Sequence, residues 1–231
     1  MLEAFVQGLK LLITFDSGLY RVISLSLFVS GSAVILAALF GVPLGTWLGL
    51  QPARKVRWLT RVTYTFMGLP PVVGGLVVYL LLSRRGALGS LGLLFTPAAM
   101  IIVQTLLATP IITGLTSVAV RNKGFDILDT VKTLGAEKHL ILWTLIRESR
   151  YGIFGAFIAG LGRVIAEVGA VMMVGGNIEG HTRVLTTAIV LETRKGNFGF
   201  AMALGLILLV LAFLINAGFY RLLLGGNDGE H

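Results

Sequence analysis

The chain has 231 residues, of which 55% are hydrophobic and 13% are charged, and its mean hydropathy is +0.88. Soluble globular domains carry about 25% charged residues, so this composition excludes a soluble domain and an intrinsically disordered chain. The chain has no cysteine, which excludes disulfides and thiolate metal sites. Its net charge of +8 lies in short segments between apolar stretches, where basic residues indicate membrane orientation rather than nucleic-acid binding. The composition predicts an integral membrane protein.

Residues 1–18 predict a short amphipathic helix, because apolar residues recur at helical spacing and charged residues fall on its other faces. A helix of this length lies in the membrane interface rather than across the bilayer. The segment 19–224 contains five longer apolar stretches, each near the ~20 residues that cross the hydrocarbon as a helix. We predict spans at about 22–50, 62–82, 98–120, 152–176 and 198–220, and a polar tail at 225–231. The sequence therefore predicts an all-α polytopic membrane protein.

The second span contains a weak point. Leu69-Pro70-Pro71 is followed closely by Gly74-Gly75, and each proline removes a backbone hydrogen-bond donor. One interpretation is a bent helix that lines a pathway. The other is ordinary packing, since proline and glycine are common in membrane helices.

The third span carries a stripe of hydroxyl groups. Thr105, Thr109, Thr113 and Thr116 recur at intervals of three or four residues, which places them on one helix face. Such hydroxyls can line a passage for a polar solute, or they can join two helices, because small polar residues are enriched at helix contacts in membranes. We favour packing for any one of these side chains and a pathway for the stripe as a whole.

The segment 121–150 predicts a helical hairpin at the membrane surface. Its first helix has an apolar stripe and ends at Leu134, after which Gly135 provides the turn that commonly ends a helix. The second helix opens with the residues Ala136, Glu137 and Lys138. A hairpin that is small and charged at its tip suits insertion into a groove on another protein.

The fourth span contains the ionisable residues Arg163 and Glu167, one helical turn apart on one predicted face. An ionisable residue inside a membrane is energetically costly and is by default a functional hypothesis. A gate or pathway role is one interpretation, and a self-neutralised pair buried between helices is the other. The flanking glycines Gly160, Gly162 and Gly169 would let another helix approach closely.

The residue inventory argues against an enzyme. All three histidines lie outside the predicted spans, and Glu167 is the only carboxylate within one. The sequence has no nucleophile elbow, no histidine cluster at metal-ligand spacing and no phosphate-binding loop. We therefore expect no catalytic residue, no metal and no cofactor bound by this chain, and active transport would need a partner that hydrolyses ATP.

Basic residues indicate the orientation. If the segment 51–61 is cytoplasmic, so are 121–150 and the C-terminal tail, and that side holds eleven basic residues against seven on the other. Cytoplasmic segments of membrane proteins carry an excess of Lys and Arg. The sequence therefore predicts an external N-terminus and a cytoplasmic C-terminus.

Within the hairpin, Asp129-Thr130-Val131 followed by Gly135-Ala136 and an apolar helix resembles the EAA loop of ABC-importer permeases. The glycine spacing of that loop is kept, whereas Asp-Thr-Val replaces the usual Glu-Ala-Ala and Arg147-Glu148 stands where Leu-Pro is common. The segments 26–45 and 68–76 are similar to the first two core helices of molybdate and tungstate permeases, and 162–178 is similar to the tungstate branch in particular.

The resemblance implies a type I importer fold in a bacterial or archaeal cytoplasmic membrane. It also implies a homodimer around one central pathway, two ATPase subunits that bind ATP and Mg, and an external protein that delivers an oxyanion. Tungstate is the expected solute, with molybdate, sulfate and other anions as alternatives. The residues expected to contact the ATPase are Asp129, Leu134, Gly135, Ala136, Glu137 and Lys138, and those expected at the pathway or gate are Arg163, Glu167, Thr105, Thr109 and Thr113.

A function of another class is a self-sufficient channel or ion-coupled carrier that uses Arg163 and Glu167 as its charged element. The hairpin at 121–150 separates the two hypotheses, because a channel has no need of a docking loop with this glycine spacing. In either case we expect membrane lipid and no nucleic acid around the chain.

Overall fold

The computed structural model describes residue 6, residues 17–133 and residues 138–224. In these residues all the regular structure is helical, which confirms the predicted all-α class. The α-helices are α1 Ser17–Leu50, α2 Ala53–Met67, α3 Pro71–Leu82, α4 Pro97–Thr133, α5 Lys138–Glu148, α6 Arg150–Ile165, α7 Gly169–Gly175, α8 Leu185–Arg194 and α9 Phe198–Leu224. A short 3₁₀-helix, Gly89–Leu91, lies between α3 and α4.

Within the residues that the structure describes, three helices are long and apolar enough to cross a membrane, namely α1, α4 and α9. Two further spans arise if each of the bent pairs α2–α3 and α6–α7 counts as one crossing. By length and composition, the described part of the chain thus holds three to five candidate spans, as expected of a polytopic membrane protein.

The second and fourth predicted spans are each divided between two helices. The axes of α2 and α3 differ by 97° across residues 68–70, where the proline pair begins. Pro71 starts α3 because its fixed φ and missing N–H suit the first position of a helix, and the residue before a proline disfavours the helical region. The axes of α6 and α7 differ by 60° across residues 166–168.

The chain forms two compact units. The first consists of the described residues up to Gly31, the segment Pro71–Gln104 and the described residues from Ile165 onward. The second consists of the segments Ser32–Pro70 and Thr105–Val164, within the described residues. Each unit therefore has its own packing.

In the first unit, α3 lies directly against α7. A Cβ atom placed on Gly75 would lie 2.8 Å from the Cα of Ala170, so glycine is what permits this approach. The core between the start of α1, α8 and α9 consists of the buried residues Leu19, Leu185, Ala188, Leu204 and Ile207.

In the second unit, the C-terminal part of α1 packs against α4 through a stripe of glycines at intervals of four. Cβ atoms placed on Gly45 and Gly49 would lie 2.5 Å and 2.8 Å from the carbonyl oxygens of Thr113 and Ser117. Glycine or other small residues at this spacing allow two membrane helices to approach closely.

Candidate functional site

The helix that leads into the predicted hairpin is longer than the sequence indicates. The predicted span at 98–120 and the first helix of the hairpin form one continuous helix, α4, of 37 residues. At about 1.5 Å per residue, α4 is roughly 55 Å long, which exceeds the ~30 Å hydrocarbon core of a bilayer. One continuous helix therefore joins the membrane-spanning segment to the hairpin.

The tip of the hairpin is only partly covered by the structure. Leu134, Gly135, Ala136 and Glu137 lie outside the described residues. Asp129 lies in α4 and Lys138 begins α5. The structure thus places a helix end and a helix start on either side of Gly135.

The helix after the tip has two different faces. Leu145 of α5 is fully buried. Trp143 is 60% exposed, and the guanidinium carbon of Arg147 lies 5.3 Å from the centre of its ring. Leu140 and Ile146 are exposed as well. Leu145 therefore anchors α5 in the second unit, while the apolar and aromatic side chains of Leu140, Trp143 and Ile146 remain accessible.

The threonine stripe of the third predicted span faces α1. The hydroxyls of Thr109 and Thr113 donate to the carbonyl oxygens one turn earlier in α4, at 2.7 and 2.8 Å. Thr105 donates across to the carbonyl of Ala33 in α1 at 3.3 Å. The hydroxyl protons of these three threonines are therefore already bound by backbone carbonyl oxygens, and the stripe packs on the glycines of α1. This geometry agrees with the interpretation in which the threonines join two helices.

Arg163 and Glu167 do not share a helix face. Arg163 lies in the last turn of α6, which ends at Ile165, and Glu167 lies in the break before α7. The sequence interpretation assumed one continuous helix and is wrong on this point.

Glu167 is buried, with 4% of its surface exposed, and its polar atoms hold the break together. Its Oε1 accepts a hydrogen bond from the Ala170 N–H at 3.0 Å, in the first turn of α7. Its backbone carbonyl accepts from the Thr186 hydroxyl at 2.9 Å, at the start of α8. An acidic side chain at a helix N-terminus satisfies an unpaired N–H and interacts favourably with the helix dipole. Glu167 thus stabilises the ends of two helices.

A small cavity, lined by apolar residues and a few polar ones, adjoins Glu167 in the first unit. Its volume is about 20 Å³, enough for one water molecule. The polar side chains that line it are Ser26, Ser30, Gln104, Glu167 and Thr186. The Ser26 hydroxyl also accepts from the Leu185 N–H at 2.8 Å, which fixes the first turn of α8 on α1. The sequence interpretation did not assign Ser26 or Thr186 to a site; hydroxyl residues within apolar segments were the available signal.

No group of three or more His, Asp or Glu side chains within the described ranges is arranged to hold a metal ion.

The sequence is similar to known transport proteins. The family profile described as binding-protein-dependent transport system inner membrane component matches residues 41–223. The tungstate uptake system permease protein TupB of Peptoclostridium acidaminophilum is 46% identical over 95% of this chain and 96% of its own length. TupB of Campylobacter jejuni is 38% identical over 93% of this chain and 90% of its own. The molybdenum transport system permease protein ModB of Mycobacterium tuberculosis is 29% identical over 84% of this chain and 76% of its own.

Proposed function

The chain belongs to the family of binding-protein-dependent transport system inner membrane components, and from this premise we propose that it is the permease of a tungstate importer. As a member of this family it is a transport subunit of an ATP-binding-cassette importer rather than an enzyme. The energy for uptake is then supplied by separate ATPase subunits, which hold ATP and Mg. Molybdate, sulfate or another anion is the alternative solute.

The observation that carries the choice of tungstate is the near-full-length similarity to two tungstate permeases, compared with a weaker similarity to a molybdenum permease. Tetrahedral oxyanions of similar size differ little in shape and charge. We expect the external binding protein to supply most of the selectivity, and this chain to supply the route.

We propose that two copies of this chain enclose the route. The described residues of one copy hold three to five candidate spans, which are few for an aqueous pathway, and a two-fold arrangement doubles the helices around it. Glu167 and Arg163 are proposed to act at the gate, where the fourth predicted span is broken. Thr105, Thr109 and Thr113 are proposed to support the pathway wall by fixing α4 on α1.

We propose that the hairpin couples this route to ATP hydrolysis. A continuous α4 transmits a displacement of the hairpin into the membrane-spanning part of the same helix without an intervening flexible joint. The exposed face of α5 around Trp143 offers an apolar contact surface beside the tip. Asp129 and the tip residues Leu134, Gly135, Ala136, Glu137 and Lys138 are the proposed contacts with the ATPase.

The test is transport by a reconstituted system. The permease, the ATPase subunits and the binding protein of the same organism are placed in proteoliposomes, and uptake of radiolabelled tungstate, molybdate and sulfate is compared. We expect uptake of tungstate that requires ATP and the binding protein and that is weakly inhibited by excess molybdate.

Two outcomes would contradict the proposal in different ways. Faster uptake of molybdate or sulfate than of tungstate would overturn the choice of solute. Uptake by the permease alone, without ATP, would favour the channel or carrier hypothesis.

A further inference from the structure

The first unit contains a second cavity, larger than the one beside Glu167. Its volume is about 260 Å³, and it is lined by the first turns of α1, the loop between α7 and α8, and parts of α8 and α9. The lining residues of α1 begin at Gly18, where the candidate span of this helix also begins. The cavity therefore lies at one end of a span, where the headgroup region of a bilayer is expected.

Two guanidinium groups line this cavity. They belong to Arg21 of α1 and Arg183 of the loop before α8. A Cβ atom placed on Gly180 would lie 3.4 Å from Nη1 of Arg21, so Arg21 lies over the loop that carries Arg183. The acidic residue in the lining is Glu179, whose Oε2 lies 3.2 Å from Nη1 of Arg183. Two cations and one carboxylate leave an excess of positive charge.

The Glu179–Arg183 pair leaves binding capacity on the arginine. The Glu179 side chain is 84% exposed, so its attraction to Arg183 is weakened by solvent and salt. The Arg183 side chain is 19% exposed, and its Nε is buried without a hydrogen-bond partner among the described residues. Because the exposed Glu179 holds Arg183 only weakly, an anion in the cavity can compete with this carboxylate for the guanidinium group.

The loop holds Arg183 in place. The carbonyl oxygen of Ile178 accepts hydrogen bonds from the N–H groups of His181, Thr182 and Arg183 at 3.2, 2.9 and 3.0 Å. The buried Thr182 hydroxyl donates to the carbonyl of Gly175 and accepts from the Ile178 N–H. Gly180 has a φ of 72°, a conformation that glycine adopts without strain. A preorganised loop of this kind lowers the entropic cost of binding.

The rest of the lining is apolar. It comprises Leu19, Val22, Leu25, Ala188, Phe200 and Leu204, and three of these belong to the buried core of the unit. A low-dielectric wall strengthens the attraction between a guanidinium group and an anion. It also offers contact to hydrocarbon, as the glycerol and upper acyl part of a lipid would provide.

We propose that this cavity binds a tetrahedral oxyanion group, either the headgroup phosphate of a membrane lipid or a free oxyanion. Guanidinium groups match phosphate-like anions because their N–H donors form a planar fork that binds two oxygens at once. The site is separate from the proposed coupling hairpin, and it does not depend on which solute is transported.

The test uses the purified full-length chain and two kinds of probe. Native mass spectrometry counts bound phosphatidylglycerol, and isothermal titration of delipidated protein measures binding of inorganic phosphate and tungstate. The variants are Arg21→Gln, Arg183→Gln and the double variant. The matched control is Arg85→Gln, which removes an exposed arginine of the same unit that does not line the cavity.

For the probe that binds, we expect each cavity variant to weaken affinity at least about tenfold, because each removes one charge-assisted contact. The Arg85 variant should bind like the wild type, and Arg183→Lys should fall between wild type and Arg183→Gln, because lysine keeps the charge but not the fork. Loss of phosphatidylglycerol alone identifies a lipid site, and loss of phosphate or tungstate binding identifies a free-anion site.

The proposal is overturned if neither probe binds the wild type, or if the double variant binds as the wild type does. If the double variant aggregates, Arg21→Gln alone decides the question, because Arg21 is exposed and its replacement leaves the core intact. The assay contains no ATPase and no binding protein, so a negative result leaves the transport proposal standing. Conversely, if the uptake experiment fails, the binding measurement on the purified chain still tests the anion site.

Discussion

Glu167 shows how one buried carboxylate can hold a helix break in place. Its side chain accepts a hydrogen bond from the first turn of α7, and its backbone carbonyl accepts one from the Thr186 hydroxyl. The side chain thus provides both a hydrogen-bond acceptor and a negative charge. Substitutions can remove them one at a time.

We predict that Glu167→Gln lowers tungstate uptake while the amount of protein in the membrane stays near normal. The amide oxygen of glutamine can still accept from the Ala170 N–H, so the break persists, whereas the negative charge proposed to act at the gate is lost. Glu167→Ala removes the acceptor too and should cost about 1–2 kcal/mol of stability. The measurement is uptake normalised to membrane protein by immunoblot. A loss of protein in proportion to the loss of uptake in the glutamine variant would favour a structural role alone.

A second residue-scale prediction concerns pH. The hydrogen bond from Lys195 Nζ to Glu192 Oε1, 2.8 Å long, holds the pKa of the Glu192 carboxyl below its usual range, and Asn197 contributes through Oε2. A depressed folded-state pKa means that this stabilisation is complete above the unfolded-state pKa and is lost as the pH falls through the folded-state value. Lys195→Ala should therefore lower stability at pH 7 by about 0.5 kcal/mol. Thermal unfolding in detergent checks this, because the difference from wild type should vanish in strong acid.

At the scale of elements, close helix contacts depend on particular glycines. We predict that Gly45→Val separates α1 from α4 and costs about 1–3 kcal/mol, because even the Cβ atom would lie 2.5 Å from a backbone carbonyl. The control is Gly31→Val in the same helix, where a Cβ atom has no other atom within 4 Å. Comparing the melting temperatures of the two variants is the measurement. Equal melting temperatures would mean that the α1–α4 contact does not depend on glycine.

The elements differ in how well their sequence predicts them. Long apolar stretches predict α1, α4 and α9, because crossing a bilayer demands both length and hydrophobicity. The proline pair predicts the break before α3. The sequence does not predict the break at 166–168, because the contacts of Glu167 there are with Ala170 and with Thr186, which is distant in sequence. The helix α8 was missed because it is short and too polar to resemble a span.

The same limit applies to the candidate site. Spacing alone places the threonines on one face, but it does not say whether that face meets a solute or another helix. The glycines of α1 lie against this part of α4, and that contact is known only once α1 and α4 are brought together. The polar cluster around Glu167 likewise joins α1, α4 and the start of α8, which are distant in sequence.

For the whole molecule, the first question is orientation. We predict an external N-terminus and a cytoplasmic C-terminus, because the side that contains the hairpin holds eleven basic residues against seven. The chain has no cysteine, so single cysteines report position without background. In intact cells, an impermeant thiol reagent should label Ala87→Cys, at an exposed position in the loop after α3, and not Gly229→Cys. Labelling of the second variant instead of the first would reverse the topology.

The second question for the whole molecule is how ATP hydrolysis on the partner subunit is coupled to movement of the membrane-spanning helices. We expect this coupling to depend on Gly135, which lies between α4 and α5. A turn between two helices commonly needs a positive φ, which glycine adopts freely and a branched residue does not. We predict that Gly135→Val turns the tip away from the ATPase, so that less ATPase copurifies and the loaded binding protein no longer stimulates hydrolysis. Gly135→Ala should be milder, and insertion into the membrane should be unchanged in both. If the Gly135→Val variant still copurifies with the full amount of ATPase and the loaded binding protein still stimulates hydrolysis, the hairpin is not the coupling element. In that case α4 does not transmit movement from the ATPase to the pathway.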